Sequence, residues 1–245
     1  MKIIDSHPKL AREGWFYIVL TLVAAVLTTL VFPFYIALLF WVISIFVLQF
    51  FRDPYRPIPQ EENIIVSPAD GKVIFTGIVD DPYLDRKAYK ISVFMNVFSV
   101  HSNRAPLAAK VKQVWYQPGL FVNAALDKAS QENERNAIWL QSDDGKDVVS
   151  VQVAGLVARR ILCYVKEDEN LDRGQRYGFI RFGSRVDLFL PEDFSVRVAL
   201  GDNVSSGISV LGQFWDFLKV RIGANICLGL IIVWILVVIA NTKIV

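Results

Sequence analysis

The sequence predicts a mainly β protein: a compact sandwich or barrel-like β domain carried between apolar membrane segments. Three observations predict it. Short runs rich in Val, Ile, Phe and Tyr, separated by turn signals, recur between residues 64 and 212. Residues 15–51 contain no charged side chain. Hydrophobic residues make up 53% of the 245, more than one ordinary globular core requires.

The elements follow in chain order. Residues 1–51 read as a polar stub and a membrane hairpin, interrupted at Pro33. A single helix over 15–51 would overshoot a hydrocarbon core of about 30 Å, whereas two short helices turning near Pro33 would fit. Lys2, Lys9 and Arg12 precede this run and Arg52 and Arg56 follow it, so the positive-inside bias places both of its ends in the cytoplasm. Residues 52–63 form a stiff, proline-punctuated linker. Residues 64–212 form the β domain, with strands expected at 72–79, 89–100, 107–116, 137–142, 147–154, 156–165, 177–183, 185–190 and 194–200. Asp143-Asp-Gly-Lys146 and Gly201-Asp-Asn203 mark two of the turns between them. Residues 213–245 end in a C-terminal membrane helix over Ile222–Ala240, behind Lys219 and Arg221. A net charge of +2 gives no reason to expect a nucleic-acid partner. Cys163 and Cys227 suggest neither a metal site nor a disulfide framework.

Chemistry enters at Gly183-Ser184, inside the strand-like run Tyr177–Leu190. A serine hydroxyl held against the preceding carbonyl can attack it and convert the amide to an ester, and the chain would then cut itself. Gly-Ser also marks ordinary bulges, so the reading depends on a base and a group that orients it. Only two histidines are present. His7 lies in the polar stub; His101 ends an apolar strand just before a turn and is the candidate base. Asp70, in Ser67-Pro-Ala-Asp-Gly71, is the acidic candidate to orient it, although the same residues are good turn chemistry. A membrane-anchored serine hydrolase could use these three side chains without cutting itself, but the exposed Gly-x-Ser-x-Gly turn of such enzymes is absent.

Five segments in order, Phe50-Phe-Arg-Asp-Pro-Tyr-Arg-Pro57, Ser67–Gly71, Phe98-Ser-Val-His-Ser-Asn-Arg-Ala-Pro106, Asn123–Asn136 and Phe182-Gly-Ser-Arg-Val-Asp-Leu188, resemble the phosphatidylserine decarboxylases of the short, Gly-Ser form. The resemblance covers roughly residues 14–212. It implies a β fold and a proenzyme that cleaves itself between Gly183 and Ser184, leaving two fragments that stay together as a heterodimer. It also implies that Ser184 becomes a pyruvoyl group, which would take phosphatidylserine as a Schiff base and release phosphatidylethanolamine, with no pyridoxal phosphate and no metal. The roles it implies are Ser184 as nucleophile, His101 as base and Asp70 as its support. Arg104, Lys128 and Arg135 become candidates for the anionic substrate, at a site on the cytoplasmic face of the inner membrane. Archaetidylserine carries the same headgroup and is the alternative substrate. The long-form enzymes carry a second histidine three residues after the first; here that position resembles Arg104.

Overall fold

The computed structural model describes residues 8–124, 132–155, 160–181 and 183–214. The expected C-terminal helix, with Lys219 and Arg221, and the candidate Lys128 lie outside these residues.

The charge-free run forms two helices, α1 (Trp15–Val31) and α2 (Phe34–Phe50), of 17 residues each. Pro33 precedes α2 as its N-cap, where its fixed φ of −56° suits a helix start and its missing N–H is not needed. Small residues let the helices approach: Ala25 and Ala37 are buried, and Trp41 Nε1 donates to Thr29 Oγ1 at 3.1 Å across the pair. Thr28 and Ser44 return their hydroxyls to the Ala24 and Phe40 carbonyls one turn back, at 2.9 and 3.0 Å, so neither is left bare on an apolar surface. At the base of the pair the entering and leaving chains are joined through their backbones, Ala11 N–H to Phe51 O at 2.8 Å and Asp53 N–H to Lys9 O at 2.7 Å. The stretch Arg12–Val31 is long and apolar enough to cross a membrane; Phe34–Phe50 is shorter.

Among the described residues fourteen strands follow: β1 (Ile64–Val66), β2 (Gly71–Asp81), β3 (Arg86–Met95), β4 (Ser102–Arg104), β5 (Ala109–Gln117), β6 (Arg135–Gln141), β7 (Asp147–Val153), β8 (Ile161–Cys163), β9 (Asn170–Leu171), β10 (Arg176–Ile180), β11 (Ser184–Leu190), β12 (Phe194–Val196), β13 (Asn203–Val204) and β14 (Val210–Phe214). The main sheet has eight strands in the order β13-β2-β3-β11-β7-β6-β5-β9. Two three-stranded sheets, β1-β14-β12 and β4-β10-β8, accompany it. The β class expected from sequence is thus present, but as one curled sheet forming a half-barrel rather than as a two-sheet sandwich or a closed barrel.

Side-chain alternation divides the main sheet into two apolar faces. Ile91, Val93, Val186 and Leu188 face the larger core; Ala88, Val149, Val151 and Phe189 face a smaller one. β11, between β3 and β7, is buried along its whole length. A third cluster, Ala11, Ile18, Phe50, Phe51 and Phe179, joins the helix pair to β10. The base of the helices is therefore packed against the strand that leads into Gly183-Ser184.

Candidate functional site

Ser184 is the first residue of β11 and lies opposite Met95, the last residue of β3. Gly183 before it has φ +60°, the left-handed region that favours glycine, although a Cβ there would meet nothing within 4 Å. Glycine is required here by conformation and not by space. The Ser184 side chain is fully buried, and its Oγ has no hydrogen-bond partner among the described residues. A buried hydroxyl left unsatisfied costs about 1–3 kcal/mol. The nucleophile is thus buried beside the carbonyl it would attack, without a hydrogen bond to the described residues.

Gly155, a residue to which the sequence assigns no role, lies against that carbonyl. A Cβ built on Gly155 would lie 1.7 Å from the Gly183 carbonyl oxygen and 2.8 Å from its carbon. Only a glycine permits this approach. Its position is set by the Asn133-Glu134 segment: Asn133 Nδ2 donates to the Val122 and Ala154 carbonyls at 2.7 and 2.6 Å, and the Ala154 N–H donates to Glu134 O at 2.9 Å. The fully buried Arg185 next to Ser184 donates to Ala124 O at 2.9 Å and pairs with Asp187 at 2.8 Å. The polar stretch Asn123–Asn136, read from sequence as a surface loop or short helix, in part forms the wall behind the susceptible bond. The signal that could have disclosed Gly155 is a glycine directly after an alternating strand, where close backbone approach is a standard reason for one.

His101 comes to the same place from the opposite direction. Its carbonyl accepts a hydrogen bond from Ile180 N–H at 3.2 Å, at the end of β10 and just ahead of the Gly183-Ser184 bond. The loop 96–100 therefore connects the residue paired with Ser184 to the candidate base. The imidazole is fully buried, tilted against the Phe50 ring at 4.0 Å, with Phe179 at 6.3 Å. Neither ring nitrogen makes a hydrogen bond of good geometry with the described residues. Burial pushes its pKa down from 6.5 to about 3; the Ser99 backbone opposes that shift and the positive charge of Arg52 adds to it. His101 is accordingly neutral, with an unoccupied lone pair, throughout the physiological range.

That depression has a consequence for stability. A histidine whose folded-state pKa lies below its unfolded value contributes fully above about pH 6.5, and its contribution is lost as pH falls from there toward about 3. In the uncut Ser184→Ala chain, denaturation at pH 7 and pH 4.5 should show an acid-side loss approaching ~1.4 kcal/mol per pH unit from this one proton. Replacing His101 by Phe in that background should flatten the slope; an unchanged slope would mean that another group causes it.

Asp70 is placed differently from the expectation. Its Oδ2 pairs with Arg56 at 2.7 Å and its Oδ1 accepts from Ser206 N–H at 2.7 Å, and no hydrogen bond joins it to His101. Burial lowers the Arg52 pKa, a shift that the Asp70 carboxylate opposes and the Arg56 charge reinforces. Asp53 instead holds the strand that follows His101: it accepts from Ser102 Oγ at 2.9 Å and from Arg104 Nη2 at 3.1 Å, and pairs with Arg176 at 3.2 Å. Arg104 is correspondingly 3% exposed and also donates to Gly174 O at 3.1 Å. Arg104, the candidate substrate contact, thus ties β4 to the linker. Arg135 starts β6 and lines a cavity of about 400 Å³ with Tyr83, Lys90, Trp115, Asp187 and Phe189. That cavity lies on the Arg185-Asp187-Phe189 face of β11, the face opposite to the Ser184 side chain.

Comparison with known proteins agrees with the geometry. The family profile described as phosphatidylserine decarboxylase matches residues 43–212. A phosphatidylserine decarboxylase proenzyme of Aromatoleum aromaticum is 58% identical over 207 residues, covering 84% of this chain and 96% of that protein. Proenzymes of the same name from Paraburkholderia phymatum and Burkholderia pseudomallei are each 55% identical over 207 residues, covering 84% of this chain and 98% and 96% of theirs.

Proposed function

The chain belongs to the phosphatidylserine decarboxylase family, and from that premise we propose that it is a proenzyme that cuts itself at Gly183-Ser184 and converts phosphatidylserine to phosphatidylethanolamine. The observation that carries this reading is the buried, unengaged Ser184 hydroxyl directly after a glycine in the left-handed conformation. His101, neutral and with a free lone pair, takes the hydroxyl proton as Oγ bonds to the Gly183 carbonyl carbon. The C–N bond breaks, the nitrogen takes up a proton, and residues 183 and 184 are then joined by an ester. Loss of the Ser184 α-proton and cleavage of its Cβ–O bond release Gly183 as a carboxylate and leave dehydroalanine. Its imine tautomer takes up water and loses ammonia, giving a pyruvoyl terminus at 184.

The site fits such a group. Position 184 is fully buried opposite Met95, and Gly155 lies against the Gly183 carbonyl next to it, so a terminus formed there is kept from bulk water. The pyruvoyl ketone supplies an electrophile for the substrate amine and a sink for the electrons left by the departing carboxylate. Asp70 and Arg56 support the charge balance around Arg52 and thereby His101, while Asp53 fixes Ser102 directly after His101, at the start of β4. The two fragments remain paired because β11 is hydrogen-bonded on both sides to strands of the larger fragment. The helix pair anchors this assembly to the cytoplasmic face of the inner membrane, with its charge-flanked base toward the β domain.

The test is decarboxylation by the purified full-length protein in phosphatidylserine–detergent micelles. Carbon dioxide and phosphatidylethanolamine are expected in equal amounts, and neither from Ser184→Ala. Release of fatty acid or free serine instead would support a serine hydrolase, and turnover confined to archaetidylserine would reassign the lipid backbone.

A further inference from the structure

Phe98 is 64% exposed, yet it stands three residues before the fully buried His101. Its loop is fixed: Asn96 Oδ1 accepts from the Phe98 N–H at 2.8 Å, and the Ser99 N–H returns to Asn96 O at 3.0 Å. The Phe98 carbonyl is held from α2 by Gln49 Nε2 at 3.2 Å and by Arg52 Nη2 at 2.7 Å. The Phe98 ring meets Phe46 of α2 edge-on at 6.3 Å, so it continues the apolar surface of the helix pair. At the same end of the pair Trp15 and Phe16 are 53% and 71% exposed, and Arg181 stacks over Tyr17 at 5.6 Å. Aromatic rings beside arginines at the end of an apolar helix pair are the composition of a membrane–water interface.

We propose that the loop 96–100 is a bilayer-docking element, in which Phe98 enters the headgroup layer beside the base of the helix pair and sets the catalytic residues directly beneath the leaflet that holds the substrate. The inference rests on the decarboxylase reading and extends it to how a lipid reaches a buried site. Its occupant is a phosphatidylserine-containing bilayer, because the apolar surface of the loop is continuous with that of α2. The mechanical consequence follows from the chain path. Met95, opposite Ser184, and His101 lie at the two ends of this loop, so the segment that touches the membrane also supplies two walls of the site.

Two readouts test it on the full-length chain. Phe98→Asp should still cut itself, but its turnover of phosphatidylserine in phosphatidylcholine vesicles should fall about tenfold or more through KM, the effect of no longer burying one phenyl ring. Turnover of monomeric dihexanoyl phosphatidylserine should stay within about twofold of wild type, and Phe98→Leu should restore vesicle activity. Equal loss on both substrates would place Phe98 in the headgroup site, and no loss on vesicles would leave it without a membrane role. Either overturns the proposal, as does a change in oligomeric mass by light scattering, which would assign this surface to a second copy. Independently of activity, a bimane at Phe98→Cys, in the Ser184→Ala chain with Cys163 and Cys227 replaced by serine, should be quenched by brominated phosphatidylcholine. Absent quenching refutes docking. Failure of the decarboxylase reading would show instead as an uncut, inactive wild type and would leave the quenching result standing.

Discussion

His101→Ala should leave the chain uncut. A positioned general base contributes about 10²–10⁴-fold, so the processing expected of the wild type should become barely detectable. The ring also packs on Phe50 at 4.0 Å, and truncation would open a cavity there. His101→Phe separates the two effects, because it keeps an aromatic ring against Phe50 but has no lone pair, and it too should remain uncut. Since burial already holds His101 neutral with a pKa of about 3, the wild-type cleavage rate should show no titration step near pH 6.5. Normal maturation of His101→Phe would move the base to another group, and a step near pH 6.5 would mean that the imidazole is solvated when it reacts.

Gly155→Ala should stall processing by about 10²-fold, although position 155 has no functional group. The added methyl would sit 1.7 Å from the Gly183 oxygen, and that neighbour is backbone rather than the tip of a flexible side chain. The carbonyl must then rotate or the strand must shift, and either takes the carbon out of line with Ser184 Oγ. Gly145→Ala is the matched control: φ is +80° there and a Cβ would meet nothing within 4 Å, so it carries backbone strain without touching the site. Urea denaturation of both variants reports stability, and the uncut fraction on a gel reports processing. Stability losses alike in the two, with only Gly155→Ala failing to cut, are expected; a Gly155→Ala chain that cuts at the normal rate would remove the close approach from the mechanism.

What could be read in the sequence follows from how local each feature is. Pro33 interrupts the apolar run because proline acts on its own backbone, and the helices indeed stop at Val31 and resume at Phe34. The long alternating strands were likewise legible, with β6, β7 and β11 within a few residues of expectation. β3 ends at Met95 and not at the expected residue 100, because Val97, Phe98 and Val100 continue an apolar pattern that the Asn96 turn breaks. β4, conversely, has no apolar pattern to announce it. Ser102-Asn103-Arg104 is polar and is buried only because Asp53 and Gln152, distant in sequence, satisfy it. The site shows the same division. Ser184, Gly183 and His101 were identifiable from residue chemistry and from the resemblance, whereas the partners of Asp70 and Arg104 and the role of Gly155 are properties of contacts that no local pattern encodes.

Intact-mass measurement of the purified full-length protein tests self-cleavage most directly. Two species are expected, residues 1–183 with a free C-terminal carboxylate and residues 184–245 lighter by one ammonia than a chain beginning with serine, while Ser184→Ala gives one species of full mass. A wild-type protein of full mass, or a second fragment that begins with an intact serine, would contradict the account.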